Sequence, residues 1–543
     1  MENADDPHIS SKEVAKGSFW GVVGTIATKV LSFIYLILLA RIASQNDVGL
    51  FYLSVSIVTF IGIADDLGLV NAIARYVPFY EAQNAKKKAH RLVVLGFVIV
   101  TGVALLLMLL LLFGAHAVSS WLQNPQLDNA LILISSYLVL NNIFQYVTSF
   151  LQAKMDIFAS QLVQSIQNLL KLVLTFIFFV IYGASIWTII VPFLLSYLVS
   201  LICSIPLVRP YLNYKLKDPR PVSDIEMLKE AIPFGLVFDA VQFLWGIYGT
   251  LDRILLSYLS PAATSLKMVA VYTVATSGAF LLTTFPNSIG TIILPVLSGL
   301  YAQKKDAKIQ DILNAAQRWC LLVMVPATII MIVFSYDILH ALYGSSYASG
   351  SLVMALFSLG FLIQSIGILL SVVLASLRLV KLELKIVLFI CLVNIIFNVL
   401  LIPHYGMLGC AIAFLITSVV FSYLFYFYSH EQFDFTISEE SMRIIAAGIP
   451  TFLFTFLLSL IVLHIEPKGS LTFLHPRIST VVYALYLIIA MIMSIASFYA
   501  FSIVLKCFKK EDIQIAAKGL RLAHMPKSVV EYTERMLSLG IKY

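Results

Sequence analysis

With 543 residues, 60% of them hydrophobic and 12% charged, at a mean hydropathy of +0.94, the chain carries far more apolar material than a soluble core buries. Lipid is therefore the solvent for most of it, and a soluble enzyme is excluded. The net charge of +7 lies mainly in short gaps between long apolar runs, which assigns it to anionic headgroups rather than to nucleic acid.

Residues 1–16 are polar and have no cleavable signal pattern, so the first apolar run is expected to serve as the insertion signal. A bilayer core about 30 Å thick needs about 20 apolar residues per helix. About fourteen spans are expected: 17–43, 48–73, 90–113, 129–151, 157–181, 184–207, 230–258, 267–297, 313–335, 351–375, 385–403, 407–428, 443–465 and 477–505. All should be helices, since a lipid-exposed backbone must satisfy its own hydrogen bonds. The fold class is thus an all-α polytopic membrane protein.

Counting Lys and Arg in the short gaps gives the orientation. One side collects Lys12, Lys16, Lys86, Lys87, Lys88, Arg91, Lys154, Arg209 through Lys229, Lys304, Lys305, Lys308, Arg318, Arg378, Lys381, Lys385 and the tail from Lys506. The other holds little beyond Arg41, Lys267, Lys468 and Arg477. The basic side is read as cytoplasmic, with both termini inside. One loop on that side departs from the pattern, because Glu431, Asp434, Glu439 and Glu440 outnumber Arg443. Acidic residues weigh little in the rule.

Three landmarks recur at nearly one offset. Val48-Gly-Leu-Phe resembles Val269-Ala-Val-Tyr, a shift of 221; Tyr182-Gly-Ala resembles Tyr405-Gly-Met, a shift of 223; and Arg75 to Tyr80 answers Val296 to Tyr301, again at 221. Six spans separate the copies, so the halves enter the membrane in the same sense, as parallel repeats. The expected domains are a cytoplasmic N-terminus 1–16, an N-lobe 17–207, a basic linker 208–229, a C-lobe 230–428, an appended pair of spans 443–505, and a cytoplasmic amphipathic tail 506–543. The tail is expected on the membrane surface or solvated.

An ionisable side chain inside a membrane helix costs about 2.5 to 3.5 kcal/mol on insertion scales, so each one is a hypothesis about function. Lys29 sits mid-span on a small polar face with Ser18, Gly21, Thr25 and Ser32. Gln161, Gln164, Asn168 and Lys171 step by three, four and three, which places them on one side of a helix. The fourth span repeats this without charge in Asn141, Gln145, Thr148 and Gln152. Asp239, Gln242 and Arg253 share a face of the seventh span, with Asp252 beside Arg253. Asp65 and Asp66 lie in the second span, followed by Asn71 and Arg75. Interhelical ion pairing is the plain alternative for these carboxylates.

Of the five cysteines none is paired at metal spacing, and they read as packing residues; Cys507 at the end of the last span is also a palmitoylation candidate. No Walker-type loop, His-Glu-x-x-His or nucleophile elbow occurs. No cofactor or metal is expected.

Ala40-Arg41 with Asp47-Val-Gly-Leu-Phe51, Asp66-Leu-Gly-Leu69 leading to Arg75-Tyr76, and Tyr405-Gly406 with Gly409 to Ala413 resemble the multidrug/oligosaccharidyl-lipid/polysaccharide (MOP) exporter superfamily, in its polysaccharide branch. The resemblance covers residues 10–505. It implies a non-enzymatic flippase in the cytoplasmic membrane that carries a polyprenyl-linked oligosaccharide to the outer leaflet by alternating access. The implied cavity residues are Lys29, Lys171, Gln161, Gln164, Asn168, Asp239, Gln242 and Arg253. Asp65, Asp66, Arg75 and Asp252 are left for coupling or salt bridges. Membrane lipids and glycosyltransferases or a polymerase of the same pathway are the implied partners, around a monomer. A cation-coupled multidrug antiporter and a lipid II flippase are the alternatives, with a scaffold that recruits glycosyltransferases a further one.

Overall fold

The computed structural model describes residues 11–212, 224–465, 476–509, 512, 521 and 527–540, apart from 84, 304, 378 and 434. Most of the basic linker, the loop around Lys468 and the first ten residues lie outside that description. The chain forms two compact units, Met1–Thr273 and Val274–Tyr543.

The first unit runs through α1 (Ser11–Ile42), α2 (Gln45–Ile61), a 3-10 turn (Gly62–Ala64), α3 (Leu69–Ala82), α4 (Lys86–Trp121), α5 (Gln126–Ile134), α6 (Ser136–Ala153), α7 (Ile157–Tyr182), α8 (Ile186–Leu212), α9 (Asp224–Leu259) and into α10 (Ala262–Phe280). The second takes up the rest of α10 and then a 3-10 turn (Leu281–Thr283). It continues through α11 (Thr284–Ala302), α12 (Asp306–Val333), α13 (Ser335–Tyr343), α14 (Ser351–Ser376), α15 (Val380–Tyr405), α16 (Met407–Phe433), α17 (Glu439–Ile465), α18 (Pro476–Val504) and α19 (Lys527–Ser538). Twelve helical stretches among the described residues are long and apolar enough to cross a bilayer. The remaining two expected spans are occupied by the broken α2–α3 segment and by α9. The boundary between the units falls inside α10, and α9 packs on α2 and α3 within the first unit.

The expected continuous second span, 48–73, is interrupted. Leu67 and Gly68 adopt left-handed backbone, with φ of +49° and +77°, so the helix stops at the 3-10 turn and restarts at Leu69. Gly68 can do this without a Cβ penalty, whereas Leu67 is strained. The second unit has a 3-10 turn beginning at 281 where the first has one at 62. Both Tyr-Gly pairs end a helix with a positive φ, +76° at Gly183 and +55° at Gly406. Tyr182-Gly183 and Tyr405-Gly406, alike in sequence, thus also stop their helices alike.

Within the second unit α14 packs on α16 through two glycines seven residues apart. A Cβ at Gly360 would stand 2.5 Å from a ring carbon of Phe414, and one at Gly367 would stand 2.4 Å from a ring carbon of Phe421. Small residues that let helices approach closely are the usual device of membrane packing.

The tail departs from expectation. Cys507 and Phe508 are buried among Leu321, Leu322 and Val325 of α12, Ile444 of α17 and Phe498 of α18. The Phe508 N–H donates to the Gly540 carbonyl at 3.2 Å, and Arg318 pairs with Asp512 at 3.2 Å with both side chains 3% exposed. Asp512 also accepts from the Lys509 N–H at 2.9 Å, and Lys509 Nζ reaches Glu440 at 3.3 Å. These described parts of the tail are therefore a folded piece of the second unit instead of a surface helix. The reason is charge: Arg318, counted above among headgroup-facing cations, is enclosed and needs an anion. Burial also pushes the Cys507 thiol up to about 11, against the opposing pull of Arg443, so neither access nor thiolate is available for acylation.

Candidate functional site

The expected polar stripe of α7 faces the small polar side of α1. Ser32 Oγ donates to Asn168 Oδ1 at 2.7 Å, Lys171 Nζ donates to the same oxygen at 2.9 Å, and Asn168 Nδ2 donates to the Gln164 carbonyl at 3.0 Å. Lys171 Nζ also stands 4.8 Å from the centroid of the Tyr35 ring. Its partners are thus an amide oxygen and an aromatic face, and among the described residues no carboxylate pairs with it. A half-buried ammonium held this way keeps its charge available for an anion.

Gln161 lies directly under Gly24 of α1, where a Cβ on the glycine would come within 2.5 Å of the glutamine Cβ. That end of the stripe is helix packing, while Gln164 reaches Ser160 at 3.4 Å. Lys29 is half-buried on α1, three residues before Ser32. In α6 Asn142, next to the expected Asn141, is buried; of the expected stripe Thr148 is buried, while Gln145 and Gln152 are exposed.

A second group assembles where α3 restarts. Asn71 Nδ2 donates to Asp239 Oδ1 at 3.0 Å, and Asp66 stands beside the same Asp239 carboxylate. The Gly68 N–H donates to Asp66 Oδ1 at 3.2 Å. Asp65 points the other way, toward Asn142 and Tyr137 of α6. Two carboxylates side by side repel unless a proton or a cation lies between them. The helix break is what brings them together, because Gly68 touches Gly235, one turn before Asp239: a Cβ on Gly68 would sit 2.3 Å from the Gly235 carbonyl carbon. Gly68→Ala should therefore lose about 1 to 3 kcal/mol to overpacking, with the left-handed strain added. Thermal unfolding in detergent measures it, and an unchanged midpoint would show that the two backbones separate freely.

The other expected residues are dispersed. Arg253 Nη1 donates to Ser56 Oγ of α2 at 3.4 Å and has no carboxylate partner among the described residues. Neighbouring Asp252 is buried and accepts from the Tyr272 hydroxyl at 2.9 Å. Gln242 is exposed on α9, and Arg75 lies on the exposed side of α3 with its guanidinium 5.8 Å from the Tyr76 ring centroid. Sequence reasoning missed Tyr35 and Asn142. Tyr35 follows Ser32 by three residues, so the face was legible, but a tyrosine among apolar residues reads as core.

Among the described residues no group of His, Cys, Asp and Glu is arranged to hold a metal ion. The chain matches the family model described as polysaccharide biosynthesis protein over residues 14–301, and the MatE model over residues 240–400. It is 25% identical over 429 residues to the uncharacterized membrane protein MJ1068 of Methanocaldococcus jannaschii, covering 74% of this chain and 82% of that protein. It is 32% identical over 180 residues to the probable flippase AglR of Haloferax volcanii, covering 33% of this chain and 37% of AglR. In fold it is similar to the lipid II flippase MurJ in an inward closed conformation, with a TM-score of 0.63, 17% identity and coverage of 88% of this chain and 98% of that one. The first match spans more than half of the sequence, and the chain belongs to the polysaccharide biosynthesis protein family, within the MOP superfamily.

Proposed function

We propose that the protein is a flippase that moves a polyprenyl-linked oligosaccharide across the cytoplasmic membrane by alternating access, for assembly of a cell-surface glycan. The observation that carries this reading is Lys171, a cation inside the membrane region whose partners are the Asn168 amide oxygen and the Tyr35 ring. A lipid-linked sugar carries a phosphate or diphosphate, and such an ammonium is a site for it. Ser32, Asn168 and Gln164 supply hydrogen-bonding groups beside the cation, and Arg253 is a second cation with a neutral partner. The probable flippases AglR and Agl15 of Haloferax volcanii among its relatives support the same reading. In it the chain is not an enzyme; both termini are cytoplasmic, the cargo and membrane lipids are its ligands, and glycosyltransferases or a polymerase of the pathway are its protein neighbours around a monomer.

Asp66 and Asp239 act in this reading as the coupling pair: the proton or cation that relieves their repulsion also changes how α3 and α9 meet. The same pair favours a second reading, a cation-coupled multidrug antiporter in which carboxylates receive a cationic drug. A lipid II flippase differs from the first reading in cargo alone. Purified protein in sealed vesicles separates the classes. A flippase exposes a labelled polyprenyl diphosphate oligosaccharide to an external glycosidase and leaves ethidium where it was. Ethidium movement under a sodium or proton gradient, with the glycolipid left in place, would replace the flippase by the antiporter.

A further inference from the structure

At the Lys/Arg-poor end of the first unit, the α1–α2, α4–α5 and α7–α8 connections surround a half-open cavity of about 310 Å³. Ligand pockets start at about 300 Å³. Its floor is apolar, from residues such as Leu133 and Ile190, and its rim carries Asp47, Gln126, Asn129 and Trp187. Asp47 is positioned by the cap of α2: Ser44 Oγ donates to Asp47 Oδ2 at 2.7 Å, and the Asp47 N–H donates back to Ser44 Oγ at 3.1 Å. The second carboxylate oxygen of Asp47, both amides and the Trp187 indole N–H make no hydrogen bond to a described residue. These exposed or half-buried polar groups thus line one cavity with donors and acceptors open to a ligand.

We propose that this cavity is a saccharide subsite that receives an uncharged sugar unit of the cargo glycan after it crosses; for its ligand class it rests on the flippase reading. A pyranose has an apolar C–H face and an equatorial belt of hydroxyls. The Trp187 ring, 51% exposed, offers the flat surface for the face, and the planar Asn129, Gln126 and Asp47 groups offer paired acceptors and donors for vicinal hydroxyls. Asp47 sets the selectivity, because a uronic acid would place a second carboxylate against it. An indole that only anchored the protein at the interface would face lipid and would have no reason to share a concave wall with two unpartnered amides.

Saturation-transfer NMR on the detergent-purified full chain tests the site. N,N′-diacetylchitobiose and maltose should bind with affinity on the order of millimolar, glucuronic acid more weakly. Trp187→Ala and Asn129→Ala should each weaken binding about tenfold, Trp187→Phe should retain it, and Lys171→Ala should leave it unchanged. Trp187 and Asn129 are both exposed at the rim, so their variants leave the core intact. Absence of transfer to every sugar, an undiminished signal in Trp187→Ala, or preference for phosphoethanolamine as a lipid headgroup would overturn the subsite. The vesicle assay reads separately: if wild type moves the glycolipid while sugars fail to bind, the subsite falls and the flippase stands. If sugars bind through Trp187 while the glycolipid stays put, the flippase falls and the saccharide site stands.

Discussion

Lys171→Ala abolishes movement of a polyprenyl diphosphate oligosaccharide in reconstituted vesicles, and Lys171→Arg keeps part of it. The ammonium is the one group on that side of α7 with full charge, and its replacement leaves Asn168 Oδ1 with Ser32 alone, which does not attract a phosphate. Insertion should not suffer, because a lysine at mid-span costs about 2.5 to 3.5 kcal/mol and alanine removes that cost. Protein level by immunoblot therefore stays at or above wild type while glycan exposure at the outer leaflet vanishes. Arginine restores the charge, but its larger planar fork does not reproduce the compact ammonium's contact with Asn168 Oδ1. Normal translocation by the alanine variant would remove the anion-binding role of this cluster.

Asp512→Ala destabilises the second unit by about 3 to 5 kcal/mol, since it leaves the Arg318 guanidinium buried without its anion. It also frees the Lys509 N–H that Asp512 Oδ2 accepts. The double variant Arg318→Met with Asp512→Leu should recover most of the loss, because a buried ion pair replaced by apolar residues of similar size is often neutral. Thermal unfolding followed by loss of monodisperse protein in detergent gives the comparison. A double variant as unstable as the single one would mean that the tail is held by Cys507, Phe508 and Gly540 rather than by charge.

Most of the span order was legible because period and length in lipid leave few choices, and the scarcity of charge singled out Lys29, Lys171, Asp239 and a few neighbours, Asp66 among them, as residues that orientation does not account for. What was illegible depends on contacts distant in sequence. The break at residues 65–68 is set by Gly68 meeting Gly235 across 167 positions, and an Asp-Asp-Leu-Gly run alone does not show that its helix stops there. Arg318 reads as one more loop cation until Asp512, 194 residues later, is seen against it. Asp239 and Gln242 share a helical face in the sequence, yet one meets Asn71 of α3 and the other is exposed. The rim of the cavity at the Lys/Arg-poor end was invisible for the same reason, as its residues come from three separate connections.

The paired seats of Phe414 on Gly360 and Phe421 on Gly367 restrict how the second unit can move. Sliding α16 along α14 by one turn would lift both rings out at once and press them on positions that carry side chains. Shear between these helices is therefore forbidden, and the pair can respond to a load only by pivoting as a single strut, which makes hinge rather than shear motion the mode open to this part of the molecule.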